Sequence, residues 1–512
     1  VNLRVMVPLV TAALAVAGCA AGPNYHTPNI TTPGRFAAAP PAADAAAANN
    51  APAAVDQALW WQALHDAELD SLVERAIAGN PDLAIALDRL QAARTYEAAI
   101  IGTVLPVVDA SAGAGRGTGS NLARGRATQT LVSASNTAGL TRINELGGFD
   151  AVWELDIFGR YRREMEAARY DTQASLAARN AVLVVVAADV ARAYVDMRGL
   201  QMRAAVLDAA IATLRESLRI VRIRYERGIT NELDVTLASR ELATLEAQSG
   251  PVDAAVHAAQ YTIATLLGLY PEDLAQELKP RQMVPQVPGA VDAGLPLDLL
   301  RRRPDIGQAE RELAGANARI GIATANLFPS LAITAGIGVQ RQALGTTPSV
   351  SDHIWSAGPS LLWPLLDFGA LDAQVQIADL QTRALLVNYK KTIQGAVREV
   401  DTSLDSFQAQ QGSLEKLGTA LTASQRAVTL ATERYQRGLT DFLNVVDAQR
   451  QEYEIEEQYA DTQVALAESF IALYRSLGGG WENYQSLPPI HRPEPAIIAA
   501  FQRVLTRNDA LK

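Results

Sequence analysis

The stretch Arg224-Tyr225-Glu226-Arg227-Gly228-Ile229-Thr230, followed by Leu233 and Val235, returns as Arg434-Tyr435-Gln436-Arg437-Gly438-Leu439-Thr440, followed by Leu443 and Val445. The spacing is 435 − 225 = 210 residues. The same offset carries Trp153 onto Trp363, Leu155 onto Leu365, Phe158-Gly159 onto Phe368-Gly369, Arg240 onto Arg450 and Leu267-Gly268 onto Leu477-Gly478. Register held this far without a gap marks an internal duplication. Upstream the offset is 223: Asn80-Pro81-Asp82-Leu83 falls on Arg303-Pro304-Asp305-Ile306, Pro106 on Pro329, and Ala112-Gly113 and Gly115 on Ala335-Gly336 and Gly338. The drop of 13 between Gly115 and Trp153 is one longer loop in the first copy. It is rich in Gly, Ser and Thr, so its tip is expected to face solvent.

With 512 residues the chain exceeds the roughly 250–300 residues one core supports. Its net charge of −10 and the absence of a basic cluster interleaved with aromatics exclude a nucleic-acid partner. Long stretches of Ala, Leu, Arg, Glu and Gln are helix-forming. The single cysteine, Cys19, rules out a disulfide framework within the chain. Arg4, the apolar run from Val5 to Ala17 and then Val16-Ala17-Gly18-Cys19 have the form of a secretory signal ending in a lipobox. Residues 1–18 are read as a lipoprotein signal peptide, with Cys19 acylated (palmitate is the expected label). That covalent lipid is the only non-protein group expected. The apolar run is too short to span a membrane as a helix, which takes about 20 residues, and no other apolar stretch of that length stands out.

Residues 19–58 form a Pro- and Ala-rich acylated tether. The first repeat covers 59–270, a crossover linker 271–297, the second repeat 298–480 and a tail 481–512. Each repeat opens on helices: one from Trp60 through Ala78, and one from Pro81 to Gly102 with its copy Pro304–Ala325. Pro at the first helical position is favoured. Two strands follow in each, at about 104–117 and 147–158, then between about 328 and 366. Phe149, Ala151, Trp153 and Leu155 alternate with Asp150, Glu154 and Asp156. Leu331, Ile333, Ala335, Ile337 and Val339 alternate with small or polar residues. Period-two alternation fits a soluble sheet on a core and a membrane barrel equally well. From Arg160 to Arg227 and from Ala370 to Arg437 there is no proline. Each stretch predicts a helix near 100 Å long at 1.5 Å per residue. Each reaches the repeated turn and reverses into a helix over 231–267 or 441–477, on which the Pro81 and Pro304 helices can stack end to end.

Four strands cannot close a barrel, which starts at about eight, and open edges in lipid cost several kcal/mol for each unpaired group. If the strands are membranous, the chain must oligomerise. Small residues on one face, such as Gly336, Gly338 and Ser356, fit either an open lumen or a tight strand approach.

The chain at this point resembles the TolC-type outer membrane factors, in the lipoprotein branch that serves RND-family efflux pumps. Gly294-Leu295-Pro296-Leu297-Asp298-Leu299-Leu300-Arg301-Arg302-Arg303-Pro304-Asp305-Ile306 carries the likeness most specifically, with Leu366-Asp367-Phe368-Gly369 and the two tip turns. The resemblance implies a mainly α fold with a small antiparallel β part: a long α-helical barrel, plus four strands per chain of a homotrimeric twelve-stranded membrane β-barrel. It implies an equatorial belt of crossover and terminal segments, and a place in the outer membrane of a Gram-negative bacterium, reaching into the periplasm. The implied function is a passive exit duct for drugs or other small molecules, with a periplasmic adaptor at the tips Gly228, Thr230, Gly438 and Thr440 and an inner-membrane RND-type pump as partners. Aspartates just past the tips ring the closed end in such proteins. Asp234 and Asp447 match such positions, while Asn444 stands where some members carry a further aspartate. Carboxylates in a narrow mouth repel one another and attract cations, and Arg227 and Arg437 can bridge helices to hold it shut. The plain alternative for these residues is solvated charge near a helix start and ordinary turn chemistry.

No catalytic chemistry is legible. His26, His65, His257, His353 and His491 are scattered, without metal-ligand spacing. Gly113-Ala114-Gly115-Arg116-Gly117-Thr118-Gly119 opens no helix with Lys-Ser/Thr, so it fails as a phosphate loop. No enzyme activity is expected. Competing readings are the same fold serving cation efflux or protein export, and a non-channel coiled-coil adaptor.

Overall fold

The computed structural model describes residues 20–38, 55–118, 141–289, 291, 296–344 and 348–486. The signal, Cys19, the tip of the first strand pair and the tail beyond residue 486, with the short helix expected near Ala496–Leu505, lie outside the described residues. The elements are α1 (Ala67–Gly79), α2 (Pro81–Thr103), β1 (Val107–Thr118), β2 (Thr141–Leu155), α3 (Arg160–Glu226), α4 (Glu232–Leu266), the single turn α5 (Pro271–Leu274), α6 (Pro296–Arg302), α7 (Pro304–Ala325), β3 (Ser330–Leu344), β4 (Val350–Leu362), α8 (Ala370–Gln436) and α9 (Phe442–Leu477).

The strands form one antiparallel sheet in the order β1-β2-β3-β4, so β2 of the first copy pairs with β3 of the second. Ala110, Phe149, Ile337 and Trp355 stand opposite one another across it, and the last three are exposed. On the other face Asp109, Asp150, Gly336 and Ser356 form the neighbouring row. One face is thus apolar and bare, the other small and polar. Strand β2 begins at Thr141, earlier than the expected 147, because Thr141–Leu146 pairs residue by residue with Gly113–Thr118. Its polar composition hid that extension. At Gly148 the glycine serves close approach: a Cβ there would lie 2.9 Å from Gly338 Cα. Around Gly358 the space is open.

Helices α3 and α8 each run 67 residues, about 100 Å at 1.5 Å per residue. A stretch of α3 is apolar enough by composition to cross a membrane, but 56% of it is buried against other parts of the chain; this span was not singled out from the sequence. Left-handed glycines, Gly159 (φ 80°) and Gly369 (φ 87°), start both long helices, where a side chain would be strained.

The short helices stack end to end on the return helices, as expected. Asn80 Oδ1 accepts from the backbone N–H groups of Asp82 and Leu83, capping α2, and its Nδ2 donates to Leu266 O at 2.7 Å. In the second copy Arg303 Nη1 donates to Ser476 O at 2.8 Å, while the same guanidinium pairs with Asp305 and Glu399. Helix α4 continues through Pro251, whose ring forfeits one backbone bond at an exposed position.

The helix expected from Trp60 to Ala78 is broken. A 3-10 segment, Gln57–Leu64, ends at left-handed His65 (φ 52°), and Asp66 then caps α1 by accepting from Glu68 N and Leu69 N. An aspartate cap restarts a helix because it satisfies donors that have no partner in the first turn. The break turns Trp60 and Trp61, both fully buried, into the core, where Trp60 stacks on Tyr474 with ring centroids 5.9 Å apart. Nearby, buried Arg198 on α3 donates to Pro280 O and Gln201 Oε1 at 2.7 Å and pairs with Glu68 at 2.7 Å. Crossover and N-terminal segments are thus fastened around the middle of the rods.

Helix α3 meets α9 along a seam of ion pairs, among them Arg192–Glu468 at 2.9 Å and Arg203–Glu457. At Gly199 a Cβ would lie 2.3 Å from Val464 Cγ2. Gly199→Leu is therefore expected to lower stability by about 1–3 kcal/mol through overpacking, read as a lower denaturation midpoint in detergent. Burial, followed by the charge of Glu468, pushes the Asp196 carboxyl in this seam up to about 6. The folded state thus holds a proton that the unfolded state has lost, so this group's contribution falls as pH rises from about 4 through 6. Asp196→Asn should raise the thermal midpoint at pH 7.5, and that gain should shrink towards zero at pH 4.

Candidate functional site

The repeated turn closes both hairpins by the same bonds. Gly228 N donates to Tyr225 O and Ile229 N to Arg224 O, each at 2.8 Å; Gly438 N donates to Tyr435 O and Leu439 N to Arg434 O, each at 2.9 Å. These are the bonds of a Schellman helix end, which needs a left-handed residue. Gly228 (φ 69°) and Gly438 (φ 73°) supply it, and the space beside both is open. The glycines therefore serve backbone conformation alone, and the tips are exposed.

Past each turn the copies hold the same frame with different chemistry. The Thr230 hydroxyl donates to Asp234 Oδ2, and Asn231 caps α4 by accepting from Asp234 N at 3.2 Å. In the second copy Asn444 Nδ2 donates to Thr440 Oγ1 at 2.7 Å. Asp234 and Asn444 are thus equivalent positions, one anionic and one neutral. Asp447 lies further along α9, where Arg450 Nη2 (2.9 Å) and Gln451 Nε2 (3.0 Å) occupy its two oxygens. Half of Asp447's side chain stays exposed, but its charge is already matched inside the chain. Asp234 has no cationic partner among the described residues, and its carboxylate is partly buried.

The bridging role read for Arg227 and Arg437 falls within the chain to another residue. Both are exposed, and neither makes an ion pair among the described residues. Arg224 crosses instead, its guanidinium 4.8 Å from the centre of the Tyr435 ring and its Nη1 3.4 Å from Gln436 O. Tyr435 is buried against Phe442, whereas its counterpart Tyr225 is 44% exposed. The signal was present in the sequence, since the turn repeats its Arg-Tyr pair, but which copy's arginine covers which copy's tyrosine is a matter of packing.

At the opposite end the sheet is tied to the rods by equivalent tryptophans. Trp153 Nε1 donates to Val104 O at 3.0 Å and Trp363 Nε1 to Leu327 O at 3.2 Å. Such aromatics, apolar in body and polar at one edge, suit a membrane–water boundary. Cys19 lies outside the described residues, but the residues after it are held at this level. Ala21 N donates to Phe158 O at 2.9 Å. Buried Arg163 donates to Ala21 O, Gly22 O and Asn24 Oδ1 at 3.0, 3.1 and 2.9 Å. Among the described residues no three His, Cys, Asp or Glu side chains converge as metal ligands.

The model of a family described as "Outer membrane efflux protein" matches residues 72–269 and 295–479. The toluene efflux pump outer membrane protein TtgC of Pseudomonas putida is 29% identical over 477 residues, covering 93% of this chain and 96% of its own. The cation efflux system protein CusC of Escherichia coli is 28% identical, over 92% and 98%. Among solved structures, the outer-membrane channel OprN is 33% identical with a TM-score of 0.78, over 90% of this chain and all of that one. The chain belongs to the outer membrane efflux protein family, and it is an outer-membrane channel component of an efflux system.

Proposed function

We propose that three copies of this chain close one twelve-stranded barrel in the outer membrane, continuous with a periplasmic tunnel of long helices. This duct passively carries drugs or other small molecules delivered by an inner-membrane pump through a periplasmic adaptor. The observation that carries this reading is the four-stranded sheet: among the described residues its apolar face is bare and both its edges are open, and it leads directly into 67-residue helices. A sheet of this kind is stable in lipid only when closed, and twelve strands leave a wider lumen than the eight that side chains fill. The tips at Gly228, Thr230, Gly438 and Thr440 are the adaptor's landing points, being the free ends of both hairpins.

Cys19 is the lipid anchor in this reading. Supporting this reading, residues 20–22 are bound where the strands join the long helices, the level at which the proposed acyl chain would enter the inner leaflet of the same membrane. Asp234 is the principal carboxylate of the gate, because Asp447 is already matched by Arg450 and Asn444 is neutral. A ring of such carboxylates at a narrow mouth attracts cations.

Deleting the gene should raise the cellular accumulation of exported toxic compounds. An unchanged accumulation across a panel of antibiotics and solvents would refute the small-molecule duct. Cys19→Ser should abolish palmitate labelling, while the protein still needs detergent for extraction. In planar bilayers, Asp234→Asn should weaken block by divalent cations by roughly threefold or more, with a much smaller effect for Asp447→Asn. The reverse order would move the gate to Asp447.

A further inference from the structure

A recess of about 330 Å³ lies between α2, α3 and α7, just below the sheet. Pockets for small molecules run from roughly 300 to 1,000 Å³, so it has room for one organic solute. Its floor is apolar: Ile100, Ala167 and Ala168 are buried, and Ile322 and Ala323 stand beside them. Tyr96, 58% exposed, forms one edge.

The side on which the recess opens follows from the N-terminal segment. Arg163 donates to Ala21 O at 3.0 Å, Asn317 Nδ2 to Pro23 O at 3.1 Å and Tyr25 OH to Glu310 at 3.0 Å. Residues 21–25 thus lie along α3 and α7. They lead away from the proposed lipid anchor, so the side they cover is the outside of the duct. At 3.6 residues per turn, Arg319, Ala323 and Asn326 stand about half a turn around α7 from Asn317 and Gly321. The recess that they line therefore faces the lumen.

Two carboxylates border it, Glu164 and Asp171. Arg319 pairs with Asp171, but Glu164, half-buried, makes no hydrogen bond or ion pair among the described residues. A carboxylate taken partly out of water without a partner is costly, and a cation beside it offsets that cost. The face of an aromatic ring such as that of Tyr96 attracts a cation as well. A bare divalent ion fits poorly, because it takes about six oxygen ligands or more. Among the described residues no three acidic or imidazole side chains converge here or elsewhere. Nor does the fold demand these charges. The offset of 210 puts Glu164 on Gln374 and Asp171 on Gln381, and α8 forms a helix as long as α3 with amides at both positions.

We propose that this recess binds amphipathic organic monocations on their way through the duct. Glu164 holds the cationic head, the Tyr96 ring lies against it, and the apolar arm packs on Ile100, Ile322 and the alanines. The inference rests on the duct reading above and gives it a cargo class and a station in the wall.

The test uses the full-length protein in detergent with benzyltrimethylammonium as the probe, binding being read by equilibrium dialysis. One saturable site per chain is expected, and its absence would overturn the proposal. Glu164→Gln should weaken binding by roughly fivefold or more, while neutral benzyl alcohol binds both proteins alike. Tyr96→Ala should weaken the cation by about threefold. Gln374 also lines the recess, so Gln374→Glu adds a carboxylate there and should tighten binding. Planar bilayers separate this inference from the reading beneath it. If the wild-type channel conducts and the probe binds regardless of Glu164, the recess is overturned and the duct stands. If binding depends on Glu164 but no channel forms, the site stands and the duct reading falls.

Discussion

A peptide group in hydrocarbon must find its partner in protein, because no water is there to replace it. Most of this molecule's architecture follows from that requirement. The sheet satisfies its inner strands with one another, but among the described residues β1 and β4 are each paired along a single side. Its apolar residues do not serve as a core, because nothing among the described residues covers Phe149, Ile337 and Trp355. The protomer is therefore a segment of wall, and its long helices extend that wall into water, where side chains take over from backbone pairing.

In the helical part, close packing does the work that hydrogen bonds do in the sheet. Gly199 admits Val464, and glycine or a capping side chain stands wherever a helix end meets another helix end. Each rod thus gains length from two separate pieces of chain. The junctions lie near the level at which the buried tryptophans and Arg198 fasten the crossover and N-terminal segments. Burying an arginine is costly unless its donors are met. Carbonyl, amide and carboxylate oxygens around Arg198 supply two of its nitrogens, which makes the belt a specific clasp.

The duplication was legible in the sequence because two copies of a fold need the same glycines, prolines and tryptophans at the same turns. It located both long hairpins and the tip turns to within a few residues, and both strand pairs apart from the stretch Thr141–Leu146 of β2. What the sequence hid has identifiable causes. The break at His65 depends on a left-handed residue that is not glycine, with the aspartate cap after it. The start of β2 was masked by polar residues whose pairing partners lie across a loop. At the tips the acidic and hydroxyl positions were readable, but Arg224 over Tyr435 was not, because the contact joins hairpins more than two hundred residues apart. The pairing of Asp447 with Arg450 follows from helical spacing and was there to be read.

The threonine after each tip has a wider meaning. Thr230 donates a hydrogen bond to a carboxylate, while Thr440 accepts one from an amide, and the surrounding backbone is the same. A hydroxyl that works in either sense uncouples the folding of the hairpin from the electrostatic character of its rim. Acid and amide are therefore interchangeable at these two sites without any change in how the turn is made.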